Sequence, residues 1–178
     1  MHTVFFRLFS LLAFTMCVQL SLAQKAPKAD KSPVDISYLK AGGETVAKVV
    51  YGRPQVNDRE IFGKLVKYGK VWRTGANEAT EIKFYQEVSI GGQTVAAGTY
   101  TLFTIPGEEN WTIILNRQLD QWGAYRYDES QDALRIEVPS GEAKNKLESF
   151  AIFFDESDSG AELLIGWDMT LIRVPISF

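Results

Sequence analysis

Residues 88–95 read Val88-Ser89-Ile90-Gly91-Gly92-Gln93-Thr94-Val95, two short segments with apolar ends joined by a pair of glycines. A two-residue hairpin turn needs positive φ at both central positions, and glycine adopts such angles without steric cost. The stretch therefore predicts a tight β-hairpin, which joins antiparallel strands.

Strand-like segments recur on both sides of this hairpin, most of them bounded by Gly, Pro or Asp. In one of them Leu134 and Val138 alternate with Arg135 and Glu137, as expected of a strand with one buried face. Repeated short strands of this kind favour an antiparallel sandwich over βαβ units. The predicted strands outside the hairpin are 45–51, 80–85, 98–105, 111–116, 133–138, 149–154 and 162–178.

These strands predict an all-β fold, an antiparallel β-sandwich or jelly-roll-like domain with short helical turns only. The predicted helical turns are 59–65, 118–122 and 142–147. The alternation rule also predicts a core. Its members are Tyr100, Leu102, Ile113, Leu115, Leu134, Ile136, Phe150, Ile152, Ile165 and Trp167.

The first residues have the features of a secretory signal peptide. A weakly basic start with His2 and Arg7 precedes an apolar run, residues 8–20, that is short for a bilayer span. Small residues at Ser21 and Ala23 fit a cleavage site. We expect cleavage after Ala23, which leaves a periplasmic or extracellular protein.

Two alternatives to cleavage after Ala23 remain open. A lipid anchor on Cys17 is disfavoured by Met16, because lipoprotein processing requires a small residue there. A retained anchor is disfavoured by the short apolar run. The expected organisation is therefore a signal peptide over 1–23, a charged, proline-containing flexible tether over 24–33, and one β-sandwich domain over 34–178.

The composition excludes several function classes. The chain has one histidine and one cysteine, His2 and Cys17, and both lie in the predicted signal peptide. Without them, Ser-His-Asp and Cys-His mechanisms and ordinary zinc, copper or haem ligation are excluded, so we predict no metal and no cofactor.

Acidic residues outnumber basic ones 22 to 19 and no basic stripe occurs, which argues against nucleic acid as a partner. No later apolar run predicts a transmembrane span.

Residues 68–82 carry an unusual density of hydrogen-bonding side chains between two predicted strands. One interpretation is a ligand-binding site, in which an aromatic face, a guanidinium fork and amide and carboxylate partners hold a polar ligand. The alternative is a structural crossover, in which Trp72 caps the core and Arg73 pairs with Glu78. The candidate ligand-binding residues here are Trp72, Arg73, Thr74, Asn77 and Glu78.

Two further groups are candidates. Arg53, together with Arg59, could form an anion site with Arg73 and Lys70, or could pair with the acidic residues Asp58, Glu60 and Glu78. Trp122 and Tyr125 could form an exposed stacking platform, or could belong to the sandwich core.

Without histidine, two carboxylates are the only conventional acid–base pair. Glu78 with Asp128 or Asp168 could cleave a glycosidic bond if the two carboxylates were suitably spaced. The sequence does not fix that spacing.

Several strings are similar to those of one family. They are Tyr51-Gly52-Arg53-Pro54, Ile61-Phe62-Gly63, the run from Tyr68 to Thr80, the run from Ala97 to Pro106, and Gln121-Trp122-Gly123-Ala124-Tyr125. From about residue 36 to about residue 154 the chain resembles the exported bacterial family known as domain of unknown function 2911. The resemblance implies an exported protein with a β-rich fold. It carries over no activity and no catalytic residue.

The sequence thus predicts an exported, non-catalytic binding or interaction module of the bacterial cell envelope. Its expected partner is an envelope glycan, a small polar ligand or another envelope protein. A carboxylate-dependent, glycosidase-like hydrolase and a structural envelope accessory protein are the alternatives.

Overall fold

The computed structural model describes residues 26–157 and 160–178. The chain divides into two units, Met1–Asp30 and Lys31–Phe178, and all the helix and strand described here lies in the second. The predicted signal peptide, 1–23, lies outside the described residues, and residues 26–33 of the predicted tether contain neither helix nor strand. The strands are β1 Val34–Ala41, β2 Glu44–Gly52, β3 Glu81–Phe84, β4 Val88–Ile90, β5 Gln93–Val95, β6 Gly98–Ile105, β7 Asn110–Asn116, β8 Asp132–Pro139, β9 Glu142–Ser157 and β10 Gly160–Ser177.

The strands form two antiparallel sheets that enclose one core, so the predicted β-sandwich is confirmed. One sheet has six strands in the order β1-β2-β3-β6-β7-β8, and the other has four in the order β5-β4-β10-β9. The predicted hairpin joins β4 to β5, with φ of 57° at Gly91 and 82° at Gly92. A 3-10 turn at Glu129–Gln131 is the only helix among the described residues.

An aromatic cluster lies between the two sheets. Trp111 of β7, Phe150 of β9 and Trp167 of β10 meet Phe62 and Trp72, which lie in the long connection between β2 and β3. The centroid of Trp111 is 4.9 Å from that of Phe62, and Trp72 stacks on Trp167 with 6.0 Å between centroids. The predicted core residues are buried, except that Ile136 is half-buried and packs against the hydrophobic core.

The predicted helical turn at 142–147 is wrong, because these residues begin the strand β9. The segment pairs with β10 through Leu147↔Asp168 and Glu142↔Thr170, and Ala143 is buried. β10 is a long partner strand, and pairing with it outweighs the weak local helix propensity of residues 142–147.

The sequence analysis also missed β1. In this edge strand Val34, Ile36 and Tyr38 face outward and remain exposed, whereas Leu39 is buried. The other two predicted helical turns, 59–65 and 118–122, form no helix: these residues are irregular turns and loops, with isolated bridges at Phe62 and Trp122.

Candidate functional site

Residues 72–80 form a loop that is anchored at both ends on β6; we call it the 72–80 loop. Trp72 and Thr104 exchange backbone hydrogen bonds of 2.7 and 3.0 Å, and Leu102 N donates to Thr80 O at 2.8 Å. Thr80 N also donates to Arg73 O at 3.1 Å, which closes the base of the loop. Both ends of the loop backbone are therefore fixed on the second half of β6.

The middle of the 72–80 loop crosses the end of β2 in direct backbone contact. A Cβ atom built on Gly52 would lie 2.1 Å from the carbonyl oxygen of Ala76, and one on Gly75 would lie 2.9 Å from the carbonyl oxygen of Gly52. Ala76 N donates to Gly52 O at 3.3 Å. Only glycine at position 52 permits this close approach.

Thr74 is fully buried inside the loop, in a conformation that β-branched residues rarely adopt, with φ of 53°. Its hydroxyl donates to Thr104 Oγ1 at 3.1 Å, and its carbonyl accepts from Thr80 Oγ1 at 2.7 Å. The structure thus places Thr74 where it supports the loop, with its side chain closed off from solvent. Strained residues held in this way are frequent at binding sites.

A cavity of about 310 Å³ lies beside the loop; we call it the arginine cavity. Trp72, Arg73 and Asn77, three of the predicted site residues, line it together. Its remaining lining residues are Ser32, Pro54, Arg59, Leu65, Val66, Gly75, Ala76 and Trp167. The lining contains two guanidinium groups and no carboxylate.

Two buried donors of this cavity, Arg73 Nε and Trp167 Nε1, have no hydrogen-bond partner among the described residues. Burial lowers the pKa of the Arg73 guanidinium, an effect that nearby Tyr125 partly opposes. Within residues 26–157 and 160–178, Arg73 forms no ion pair, so the alternative pairing with Glu78 is not found. A buried donor without an acceptor is costly, and an acceptor supplied by a ligand would remove that cost.

Arg59 and Arg53 have different roles. Arg59 lines the cavity and is held by backbone carbonyls, with Nε donating to Val56 O at 3.0 Å. Arg53 lies outside the cavity, where it donates to Phe150 O and forms a 3.0 Å ion pair with Asp35. Arg53 is therefore a predicted site residue that lies outside the cavity, whereas Trp167, whose place in a strand indicates only a core role, lines it.

The remaining predicted site residues lie outside the arginine cavity. Glu78 is exposed and lines a separate cavity, and its backbone forms a bridge with Trp122. Trp122 and Tyr125 are 61% and 86% exposed and line a shallow groove with Arg126. The structure therefore has them at the surface and outside the core.

The carboxylates that the sequence analysis paired with Glu78 lie elsewhere. Asp128 accepts from Ser130 N at the start of the 3-10 turn, and Asp168 lies in β10. Neither residue lines the cavity that contains Glu78.

No cluster of three or more acidic, His or Cys side chains in the described parts of the chain is arranged to hold a metal ion. Nor does any helix in those parts have the length and apolar character to cross a membrane.

A family model described as "Protein of unknown function (DUF2911)" matches residues 32–176. The chain belongs to the DUF2911 family. The resemblance inferred from the sequence is thereby confirmed. The DUF2911 match begins before β1, ends within β10 and includes the whole 72–80 loop. No curated protein and no solved structure matches the chain.

Proposed function

We propose that this DUF2911 protein is an exported, non-catalytic binding module of the cell envelope, and that the arginine cavity holds an oxyanion group of a small polar ligand. The observation that carries the proposal is the pair of buried donors, Arg73 Nε and Trp167 Nε1, which lack acceptors among the described residues and line one cavity.

The charge of the lining favours an anion. Arg59 and Arg73 bring two positive charges to a cavity whose lining has no carboxylate to balance them. A carboxylate accepts hydrogen bonds from the planar guanidinium fork of arginine and can accept a further one from an indole N–H. The side chains of Asn77 and Ser32 add polar groups to the same lining.

The volume of the cavity limits the ligand. At about 310 Å³ it lies at the low end of the range for small-molecule sites. It therefore suits a small molecule or the end group of a larger one. Among envelope components, an acidic sugar at the end of a glycan combines a carboxylate with polar hydroxyls.

The lining favours binding over catalysis. Arginine, tryptophan and asparagine are poor proton-transfer groups at neutral pH, and the lining has no carboxylate, imidazole or thiol. These residues can hold and orient an anion.

Calorimetric titration with glucuronate, with glucose as the uncharged control at fixed ionic strength, tests the proposal. We expect saturable binding of glucuronate, and at a hundred times its Kd it should stabilise the fold by about 2.7 kcal/mol. Arg73→Gln and Trp167→Phe should each weaken binding about tenfold or more, because each removes a buried donor to a charged acceptor. Trp167→Phe keeps an aromatic ring in the core, so loss of packing is limited.

Arg126→Gln is the matched control, because Arg126 is exposed and lies outside the arginine cavity. It should leave the Kd within about twofold. Equal affinity for glucose and glucuronate, or equal losses in all three variants, would contradict an anion site in this cavity.

Export is a separate part of the proposal and is supported by the sequence of residues 1–23. We expect the protein purified from its native host to begin at Gln24 and to carry no lipid, because Ser21 and Ala23 fit a signal-peptidase site. Intact-mass measurement checks both points. A mass corresponding to an acylated chain that begins at Cys17 would show that the protein is a lipoprotein.

A further inference from the structure

Gly52, whose backbone contacts Ala76 of the arginine cavity, lines a second cavity of about 210 Å³. We call this second cavity the acidic cavity, because three of its lining residues carry carboxylates. These residues are Glu78, Glu81 and Asp120.

Backbone contacts bring these three residues together from two separate segments. Ala79 N donates to Gln121 O at 2.7 Å, and the bridge between Glu78 and Trp122 lies beside it. Asp120 N then donates to Glu81 Oε1 at 3.0 Å. The end of the 72–80 loop, the start of β3 and the segment after β7 thus bring Glu78, Glu81 and Asp120 to the lining of the same cavity.

The three carboxylates have no cationic partner in the described parts of the chain. None of them forms an ion pair with a lysine or arginine there. Lys83, two residues beyond Glu81, instead lies 4.6 Å over the ring of Tyr85. The cavity therefore carries uncompensated negative charge.

Gln121 is an independent indication of a ligand. The residue is 8% exposed and lines the acidic cavity, and its side chain donates through Nε2 to Gln118 O at 3.2 Å. Its other polar atom, Oε1, is buried and has no hydrogen-bond partner among the described residues. A buried acceptor of this kind needs an N–H or O–H donor.

The rest of the lining is apolar. Val34, Val50, Ala79 and the ring of Tyr51 provide hydrocarbon surface beside the charged groups. The described acidic side chains are not arranged as a metal site, which makes a compact metal ion a poor match. A cation that also has hydrocarbon surface matches both parts of the lining.

We propose that the acidic cavity binds an organic cation, a primary ammonium or guanidinium group carried on a short alkyl stem. The cationic N–H donors satisfy Gln121 Oε1 and the carboxylates, and the stem packs on Val34 and Val50. The same group occurs in free diamines and at the end of lysine side chains in peptides. This proposal does not depend on a ligand in the arginine cavity.

Calorimetric titration with 1,4-diaminobutane tests the proposal, and 1,4-butanediol is the uncharged probe with the same stem. We expect saturable binding of the diamine alone, weakened by added salt because the carboxylates are partly exposed. A parallel titration with acetyl-Ala-Lys-Ala-amide identifies the source. Tighter binding of the peptide indicates a lysine side chain as the natural ligand, and tighter binding of the diamine indicates a free amine.

The triple variant Glu78→Gln/Glu81→Gln/Asp120→Asn should weaken diamine binding by about tenfold or more, since charge-assisted hydrogen bonds are lost. The matched control is Glu108→Gln/Glu109→Gln/Glu137→Gln, which removes the same charge from exposed residues outside the cavity. It should leave the Kd within about twofold. The single variant Glu78→Gln tests the site without altering the Asp120–Glu81 contact and should weaken binding about threefold or more.

Three results would overturn the proposal. The first is the absence of saturable binding by both cationic probes. The second is binding of 1,4-butanediol as tight as that of the diamine. The third is an equal loss of affinity in the cavity variant and the control, which would show only a general effect of net charge.

Discussion

Substitution of Gly52 by alanine is expected to destabilise the protein by about 3 kcal/mol or more. The new methyl group would lie 2.1 Å from the carbonyl oxygen of Ala76, which is backbone and cannot rotate away. The 72–80 loop would then have to lift from the end of β2, with loss of the 3.3 Å hydrogen bond from Ala76 N to Gly52 O. Urea unfolding of the wild type and the variant measures the effect.

Gly43→Ala is the control for this substitution. Gly43 has φ of 89°, and no atom lies within 4 Å of a Cβ built on it. It should therefore cost only the strain of the left-handed conformation, about 1–2 kcal/mol. If Gly52→Ala cost no more than Gly43→Ala, the close crossing of the loop over β2 would be incorrect. Glucuronate binding should also be lost in Gly52→Ala, because Ala76 and Gly75 line the arginine cavity.

Truncation of Trp111 to alanine is expected to destabilise the protein by about 3–5 kcal/mol. Its indole is 1% exposed and packs edge-on against Phe62 at 4.9 Å and Trp72 at 6.3 Å between centroids. The surrounding β-sheet cannot collapse to fill so large a space, so the lost contacts add to the lost burial. Chemical denaturation gives the free energy of unfolding.

Trp122→Ala makes the same chemical change at the surface. Trp122 is 61% exposed, and we expect its truncation to change the free energy of unfolding by about 0.5 kcal/mol or less. A loss at Trp122 comparable to that at Trp111 would mean that Trp122 is a core residue. A place in the core is one of the two alternatives that the sequence alone leaves open for Trp122.

The parts of the fold that the sequence predicted depend on local rules. The turn at Gly91 and Gly92 follows from the need for positive φ, and the orientation of Leu134 and Val138 follows from alternation. The start of β9 is not predicted as a strand because the residues that pair with it, Asp168 and Thr170, lie at the far end of the long β9–β10 hairpin. β1 was missed because its alternating residues Val34 and Ile36 remain exposed at the sheet edge.

The candidate site was predicted only in part, for reasons specific to the 72–80 loop. Arg73 and Asn77 line one cavity as a group, but Glu78 lines another, although it is adjacent in sequence. Positive φ at Thr74 and Asn77 interrupts the simple alternation from which side-chain direction can be inferred. No sequence pattern indicates that Trp167, in a distant strand, lines the same cavity as Arg73, with an indole N–H that has no hydrogen-bond partner among the described residues.

The contact between Gly52 and Ala76 has a thermodynamic consequence for the two proposed ligands. Gly52 lines the acidic cavity and Ala76 lines the arginine cavity, so a displacement at their contact alters the lining of both. If the anion shifts this contact and thereby changes the affinity for the cation by some factor, the cation must change the affinity for the anion by the same factor. The rigidity of a single backbone crossing therefore determines whether the two cavities act as independent sites or as a coupled pair.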